Sequence, residues 1–198
     1  EMSETVASPG IRNRATLVGN ICSAVPSCDA GPVLLAYNTT VHLTGPNGSR
    51  NIDINDWFTG VRETARREDE VVTHLTIEVP KHGGVYVKLM RYAGEDLAQA
   101  AVGIVVYPNL DYRVAFGAVA PTPIRSAAIE EALRGNGLND DLINLVVAMV
   151  PDEISPITDM RATAEYRTHI TGVMLRRGLV AAVGRLAGTG PEYGTRLI

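Results

Sequence analysis

Short apolar runs alternate with polar ones over the first eighty residues, and three longer β-branched runs follow in series. Residues 40–44, Thr-Val-His-Leu-Thr, alternate with the period of a half-buried strand. Gly45-Pro46-Asn47-Gly48 is a turn signal, and residues 50–54 return as the partner strand. Residues 32–37 predict a short helix with Pro32 in its first turn. Residues 4–8 read as the end of a helix and 55–59 as a helical turn. Residues 71–79 read as a strand stopped by Pro80. This is α/β patterning.

A change of style follows Pro80-Lys81-His82-Gly83-Gly84. Strands are predicted over 85–92, 100–107 and 112–119, with Asn109-Leu110-Asp111 linking the last two and Pro121-Thr122-Pro123 closing the sheet. Helices follow over 126–134, capped by Ser126 and ended by Gly135, and over 140–149. The longest helix, over 160–186, has Thr158 or Asp159 as its cap. Its apolar face is drawn through Tyr166, Ile170, Val173 and Met174. A three-stranded antiparallel sheet backed by helices makes the whole an α+β chain. The expected division is 1–80, 84–187 and a tail over 188–198.

Composition narrows the function classes. Of 198 residues, 45% are hydrophobic, enough for real cores. A formal charge of −4 argues against nucleic acid as a partner. No apolar run reaches the roughly 20 residues of a membrane span, and Glu1-Met2-Ser3-Glu4 is no secretory h-region. Cys22 and Cys28 allow a disulfide in principle, but two incidental thiols in a cytoplasmic protein fit better.

The segment Ile11-Arg12-Asn13-Arg14-Ala15-Thr16-Leu17-Val18-Gly19-Asn20, followed by Asp29, has the makings of a backbone approach to an anionic cofactor. Glycine permits close contact, and exposed amides in turns attract phosphate. A plain strand end over Thr16 to Asn20 gives the same pattern. Further on comes a second run, Pro156-Ile157-Thr158-Asp159-Met160-Arg161-Ala162-Thr163-Ala164-Glu165-Tyr166-Arg167.

In this order the two motifs resemble those of the FAD-binding medium subunits of molybdenum hydroxylases. The resemblance spans about Val6 to Leu186. It implies that Ala7, Thr16, Leu17, Val18, Gly19, Asn20 and Asp29 contact FAD, with Val72 and Arg66 as weaker candidates. It also implies that Lys88, in Tyr86-Val87-Lys88-Leu89-Met90-Arg91-Tyr92-Ala93-Gly94-Glu95-Asp96-Leu97, reaches the isoalloxazine edge, with Leu97 near the ring. From the strand pattern alone Lys88 is a solvated edge-strand lysine. Val18 stands where the family has a glycine; it is strained if that position needs positive φ and otherwise crowds the cofactor.

The partners implied are an iron–sulfur small subunit carrying two 2Fe–2S clusters and a large subunit holding the molybdenum cofactor, with electrons leaving through FAD to NAD or another acceptor. The family precedes this region with an Ala-Gly-Gly loop that holds the FAD pyrophosphate. Nothing here matches that loop, so the chain is expected to be the C-terminal two thirds of a subunit. A flavin-free assembly module of such a complex is the alternative.

No other chemistry competes. His42, His74, His82 and His169 are scattered, and there is no Cys-x-x-Cys. The acidic groups Glu68-Asp69-Glu70, Glu95-Asp96 and Asp140-Asp141 read as solvated surface. Arg161, Arg167, Arg176, Arg177 and Arg185 are expected to meet carboxylates, a helix end or a partner subunit.

Overall fold

The computed structural model describes residues 1–92 and 95–198; Ala93 and Gly94, within the run quoted around Lys88, lie outside the described residues. The expected helix over 4–8 is instead a 3-10 turn, Met2–Thr5, followed by helix α1, Pro9–Arg12. Helices α2 (Leu17–Ser23) and α3 (Ala30–Ala36) come next.

Strands β1 (Thr40–Gly45) and β2 (Gly48–Asp53) form the predicted hairpin, and β5 (Val71–Thr76) pairs with the other edge of β1. All pairings are antiparallel. Between them lie a 3-10 turn, Ile54–Asp56, and a small ribbon of β3 (Phe58–Gly60) and β4 (Glu63–Thr64). Val41 and Leu43 turn inward from β1 onto Ile21, Leu34 and Trp57, all buried. Trp57 Nε1 donates to the Ile21 carbonyl at 3.1 Å, so its one polar atom is satisfied inside.

The second sheet runs in the order β6 (Gly83–Leu89), β7 (Ala100–Val106), β8 (Tyr112–Gly117), β9 (Ile124–Arg125), all antiparallel. It has one strand more than expected, because Pro123 is followed by two residues that pair with β8. The central strands read as unbroken apolar runs because both faces are covered. Val85, Val87, Val102, Ile104, Val114 and Phe116 pack on helices α4 (Ala127–Leu133), α5 (Asp140–Glu153) and α6 (Ala164–Ala187). The opposite face receives α3. A Cβ on Gly103 would lie 3.0 Å from the Pro32 carbonyl group, so β7 lacks a side chain where the helix crosses it.

Two readings of α6 need correction. Its N-cap is Thr163, whose hydroxyl accepts from Tyr166 N at 3.1 Å; Thr158 adds only a bond from Ala164 N at 3.0 Å, and Asp159 does not cap the helix. The Asp159 carboxylate is occupied by Arg161 N at 2.8 Å and Arg167 Nη2 at 2.7 Å. The buried face is also turned by one residue. Tyr166 is 45% exposed, whereas Arg167, Thr171, Met174, Leu175 and Leu179 are buried. The stripe shifts because Arg167 finds acceptors indoors, at Gln99 O (2.6 Å) and Ala118 O (3.2 Å). Helix α5 runs on through Pro151, beyond the expected end at 149. No helix among the described residues is long and apolar enough to cross a membrane.

Residues 188–198 are held against the body. Arg185 donates to Pro191 O and Glu192 O, both at 2.9 Å, and stands over the Tyr193 ring. The same guanidinium pairs with Glu1 at 2.7 Å.

Candidate functional site

The loop before α1 is fixed by an arginine of the first motif. Arg12 Nη1 donates to Val6 O at 2.9 Å and Ala7 O at 2.6 Å. Between those carbonyls the backbone of Ala7 takes φ +40, a conformation that L side chains rarely adopt. Ser8 then accepts from Ile11 N and starts α1.

Thr16 to Asn20 is a helix start, which overturns the strand-end reading. Thr16 is the N-cap of α2, its hydroxyl accepting from Gly19 N at 2.9 Å. A capping threonine followed by small and polar residues favours a first helical turn over an extended corner. Val18 is helical and has negative φ, so the strain that a glycine would have relieved does not arise. Gly19 is exposed, and a Cβ there would meet only Thr16 Oγ1, at 3.1 Å. Thr16, Leu17 and Gly19 face outward, and as the first helical residues Leu17 and Val18 lie beyond the reach of intrahelical acceptors for their amides.

Asn20 joins this helix to the next. Its Oδ1 accepts from Ala30 N at 3.0 Å and from the Cys28 thiol at 3.0 Å. Both cysteines are free, and burial pushes the Cys28 thiol up to about 12. One residue away, Asp29 is buried where α3 begins. Its Oδ1 accepts from the Tyr86 hydroxyl at 2.7 Å and its Oδ2 from Lys88 Nζ at 3.0 Å. Lys88 also donates to Thr5 O at 2.8 Å. The lysine side chain is 1% exposed, so the solvated edge-strand reading fails. Burial raises the Asp29 carboxyl above its ordinary value, against the opposing pull of Lys88 and Tyr86. Burial and the Asp29 carboxylate drive the Tyr86 phenol well above its usual range.

Candidates scattered over more than eighty residues of sequence thus converge on one corner. Ala7 sits beside Thr5, which holds Lys88; Lys88 holds Asp29; and Asn20 is bonded next to Asp29. Val72 does not join them. It lies on β5, half-buried among Leu43 and Ile21, where β5 passes α2. Arg66 is spent on its own turn, donating to Arg67 O at 3.0 Å and Glu70 O at 2.9 Å. Leu97 is exposed, and Leu97 N donates to Asp96.

Sequence reasoning missed Tyr86, Thr5 and Arg12. The signal for Tyr86 was available, because residues two apart on a strand share a face, so a site containing Lys88 contains Tyr86. The acidic cluster reading also needs correction at Glu70, which is buried against Arg50 at 2.6 Å rather than solvated.

A cavity of about 300 Å³ adjoins Lys88, bounded by Thr5, Tyr86, Met90, Tyr92 and the chain end. A smaller one of about 120 Å³ lies beside Thr16 and Asn20. Neither encloses a dinucleotide; the corner offers one wall. That wall suits a flavin dinucleotide in its chemistry. Outward-facing amides at a helix start attract phosphate, hydroxyl and amide side chains meet sugar oxygens, and a buried lysine offers a donor. A larger cleft, about 710 Å³ between Tyr37, Tyr107, Glu78 and Arg113, contains none of the candidate residues. No three His, Cys, Asp or Glu side chains gather into a metal site among the described residues.

Residues 1–82 match the family model for the FAD binding domain in molybdopterin dehydrogenase, and residues 85–182 match that for the CO dehydrogenase flavoprotein C-terminal domain. The chain is 35% identical over 178 residues to the glyceraldehyde dehydrogenase medium chain of Sulfolobus acidocaldarius, covering 87% of this chain and 63% of that one. It is 30% identical to the carbon monoxide dehydrogenase medium chain of Hydrogenophaga pseudoflava, covering 94% and 67%. A solved carbon monoxide dehydrogenase from Hydrogenophaga pseudoflava, one lacking the Mo-pyranopterin moiety, superposes with a TM-score of 0.87 at 31% identity, covering 92% and 65%. The chain thus spans less than two thirds of the length of the first relative and of the solved chain. It belongs to the family of FAD-binding medium subunits of molybdenum hydroxylases.

Proposed function

We propose that this chain forms one wall of the FAD site of a multi-subunit molybdenum hydroxylase, and that electrons reach that flavin from iron–sulfur clusters of a small subunit. A large subunit with the molybdenum cofactor would oxidise the organic substrate, and NAD or another acceptor would take the electrons. The observation that carries the reading is the convergence of Ala7, Thr16 to Asn20, Asp29 and Lys88 on one corner.

When bound, the flavin supplies the redox chemistry, and the protein supplies orientation and electrostatics. The start of α2, with Thr16 as cap and Gly19 bare, would receive the phosphate and sugar portion. Arg12 would keep the Ala7 loop at its unusual backbone angle, so that the wall is formed before the cofactor arrives. Lys88, enclosed by Thr5 and Asp29, would present its remaining N–H to an acceptor on the ring. Its cation favours the negative charge gained on reduction. Val72, from beneath α2, would support this wall rather than touch the cofactor.

Flavin content tests the reading. The complete subunit should release stoichiometric FAD on acid treatment, identified by chromatography and visible absorbance, which also shows that no covalent bond holds it. A complete subunit that purifies without flavin and cannot take it up contradicts the proposal.

A further inference from the structure

We infer that Asp29 is the counter-ion that sets how much of the Lys88 charge a flavin feels, and that Tyr86 is the residue that positions it. Within the chain, Asp29 is no free ligand. Each carboxylate oxygen already has a buried donor, Tyr86 Oη at 2.7 Å on one side and Lys88 Nζ at 3.0 Å on the other. Tyr86 and Lys88 share a face of β6 and grip Asp29 from the same strand. The Tyr86 hydroxyl fixes the rotation of the carboxylate, which leaves Oδ2 toward the lysine. Both charged side chains are at least nine-tenths hidden, so solvent screens their attraction weakly.

A buried cation with a buried anion at this distance is nearly neutral seen from outside. The other ionisable groups at this cavity are Glu1, Glu4, Tyr92 and Arg196. Glu1 is held by Arg185, which leaves Asp29 as the carboxylate in contact with the lysine. Lys88 therefore acts as half of a pair, and the loss of either member exposes the other.

The inference rests on the reading that Lys88 lies at the flavin. Its test is a double-mutant cycle on the flavin-loaded complete subunit, read as reduction potential across a range of pH. Lys88→Met should lower the potential, because it removes the cation from the pair. Adding Asp29→Asn should bring the potential back toward that of the parent. The double variant has no unpaired buried charge, so it remains measurable even if Asp29→Asn alone fails to fold. Tyr86→Phe keeps the ring and removes only the clamp; it should move the potential by less than either charge change.

In the flavin-free chain the same cycle should show each single charge variant melting earlier than the double. A double variant whose potential equals that of Lys88→Met overturns the counter-ion role while leaving Lys88 at the flavin. If Lys88→Met itself leaves the potential unchanged, the flavin reading of the lysine fails instead.

Discussion

The backbone of Pro32 lies against the backbone of Gly103, at a distance that a side chain on β7 would not allow. This crossing ties α3 to the second sheet and brings Asp29, at the start of α3, to Lys88 on β6. Gly117 repeats the device on β8, where a Cβ would fall 2.7 Å from Pro32 Cγ. Gly103→Val should therefore lift α3 and cost about 1–3 kcal/mol, the usual range for overpacking. Denaturant titration checks this; an unchanged midpoint would show that the crossing is slack.

Arg167 should be among the costliest single losses in the second half. Its guanidinium closes on Gln99 O, Ala118 O and the Asp159 carboxylate, and it joins α6 to the ends of β7 and β8. Arg167→Met strands those acceptors, at about 1–3 kcal/mol for a buried polar group left unpaired. Arg167→Lys should recover little, because an ammonium cannot reproduce the planar fork. Thermal melts of the two variants, compared with Thr168→Ala on the same helix, measure it.

Glu70 predicts a pH dependence with a definite sign. Two hydrogen bonds from Arg50, at 2.6 and 2.8 Å, hold its carboxyl down to about 2, well below the ordinary 4.5. A carboxyl depressed in the folded state stabilises above its unfolded value and loses that stabilisation as pH falls through the folded one. Stability should thus decline between about 4.5 and about 2. Glu70→Gln should be less stable than the parent at neutral pH and converge with it in acid. Parallel curves across that range would remove Glu70 from the account.

Part of this fold was legible in the sequence, and the failures have a common cause. The β1–β2 hairpin was visible because turn chemistry and alternation are local. So were the three long strands, whose apolar runs need no knowledge of neighbours. The cap of α6 and the phase of its buried face were not legible, because Arg167 is buried only by virtue of acceptors far away in sequence. Glu70 misled for the same reason: an acid in an acidic cluster is solvated unless an arginine from another strand reaches it. At the site, a threonine cap competed with a strand-like run, and the cap won. The convergence of Asp29 with Lys88 depends on an interval of 59 residues, which no local pattern encodes.

The division at residues 80–84 can be tested with fragments. We propose that residues 84–187 fold alone, because α4, α5 and α6 cover one face of their sheet. The other face, including Ala101, Gly103 and Ala115, loses α3. The fragment should keep its circular dichroism, melt earlier than the whole chain and bind a hydrophobic dye. A fragment as stable as the intact chain and silent to the dye would mean that α3 contributes nothing to that sheet.

The most direct test of the flavin wall is at Gly19. The position is exposed, and a Cβ there meets only the Thr16 hydroxyl within the chain, so Gly19→Ala should leave the flavin-free melting temperature nearly unchanged. Against a cofactor laid on the start of α2, the same side chain is an obstruction. Titration of the complete subunit with FAD, followed by fluorescence quenching, should show affinity at least about tenfold weaker in the variant, or roughly 1.4 kcal/mol. Equal affinity in variant and parent, with equal stability, would contradict the placement of FAD at this corner.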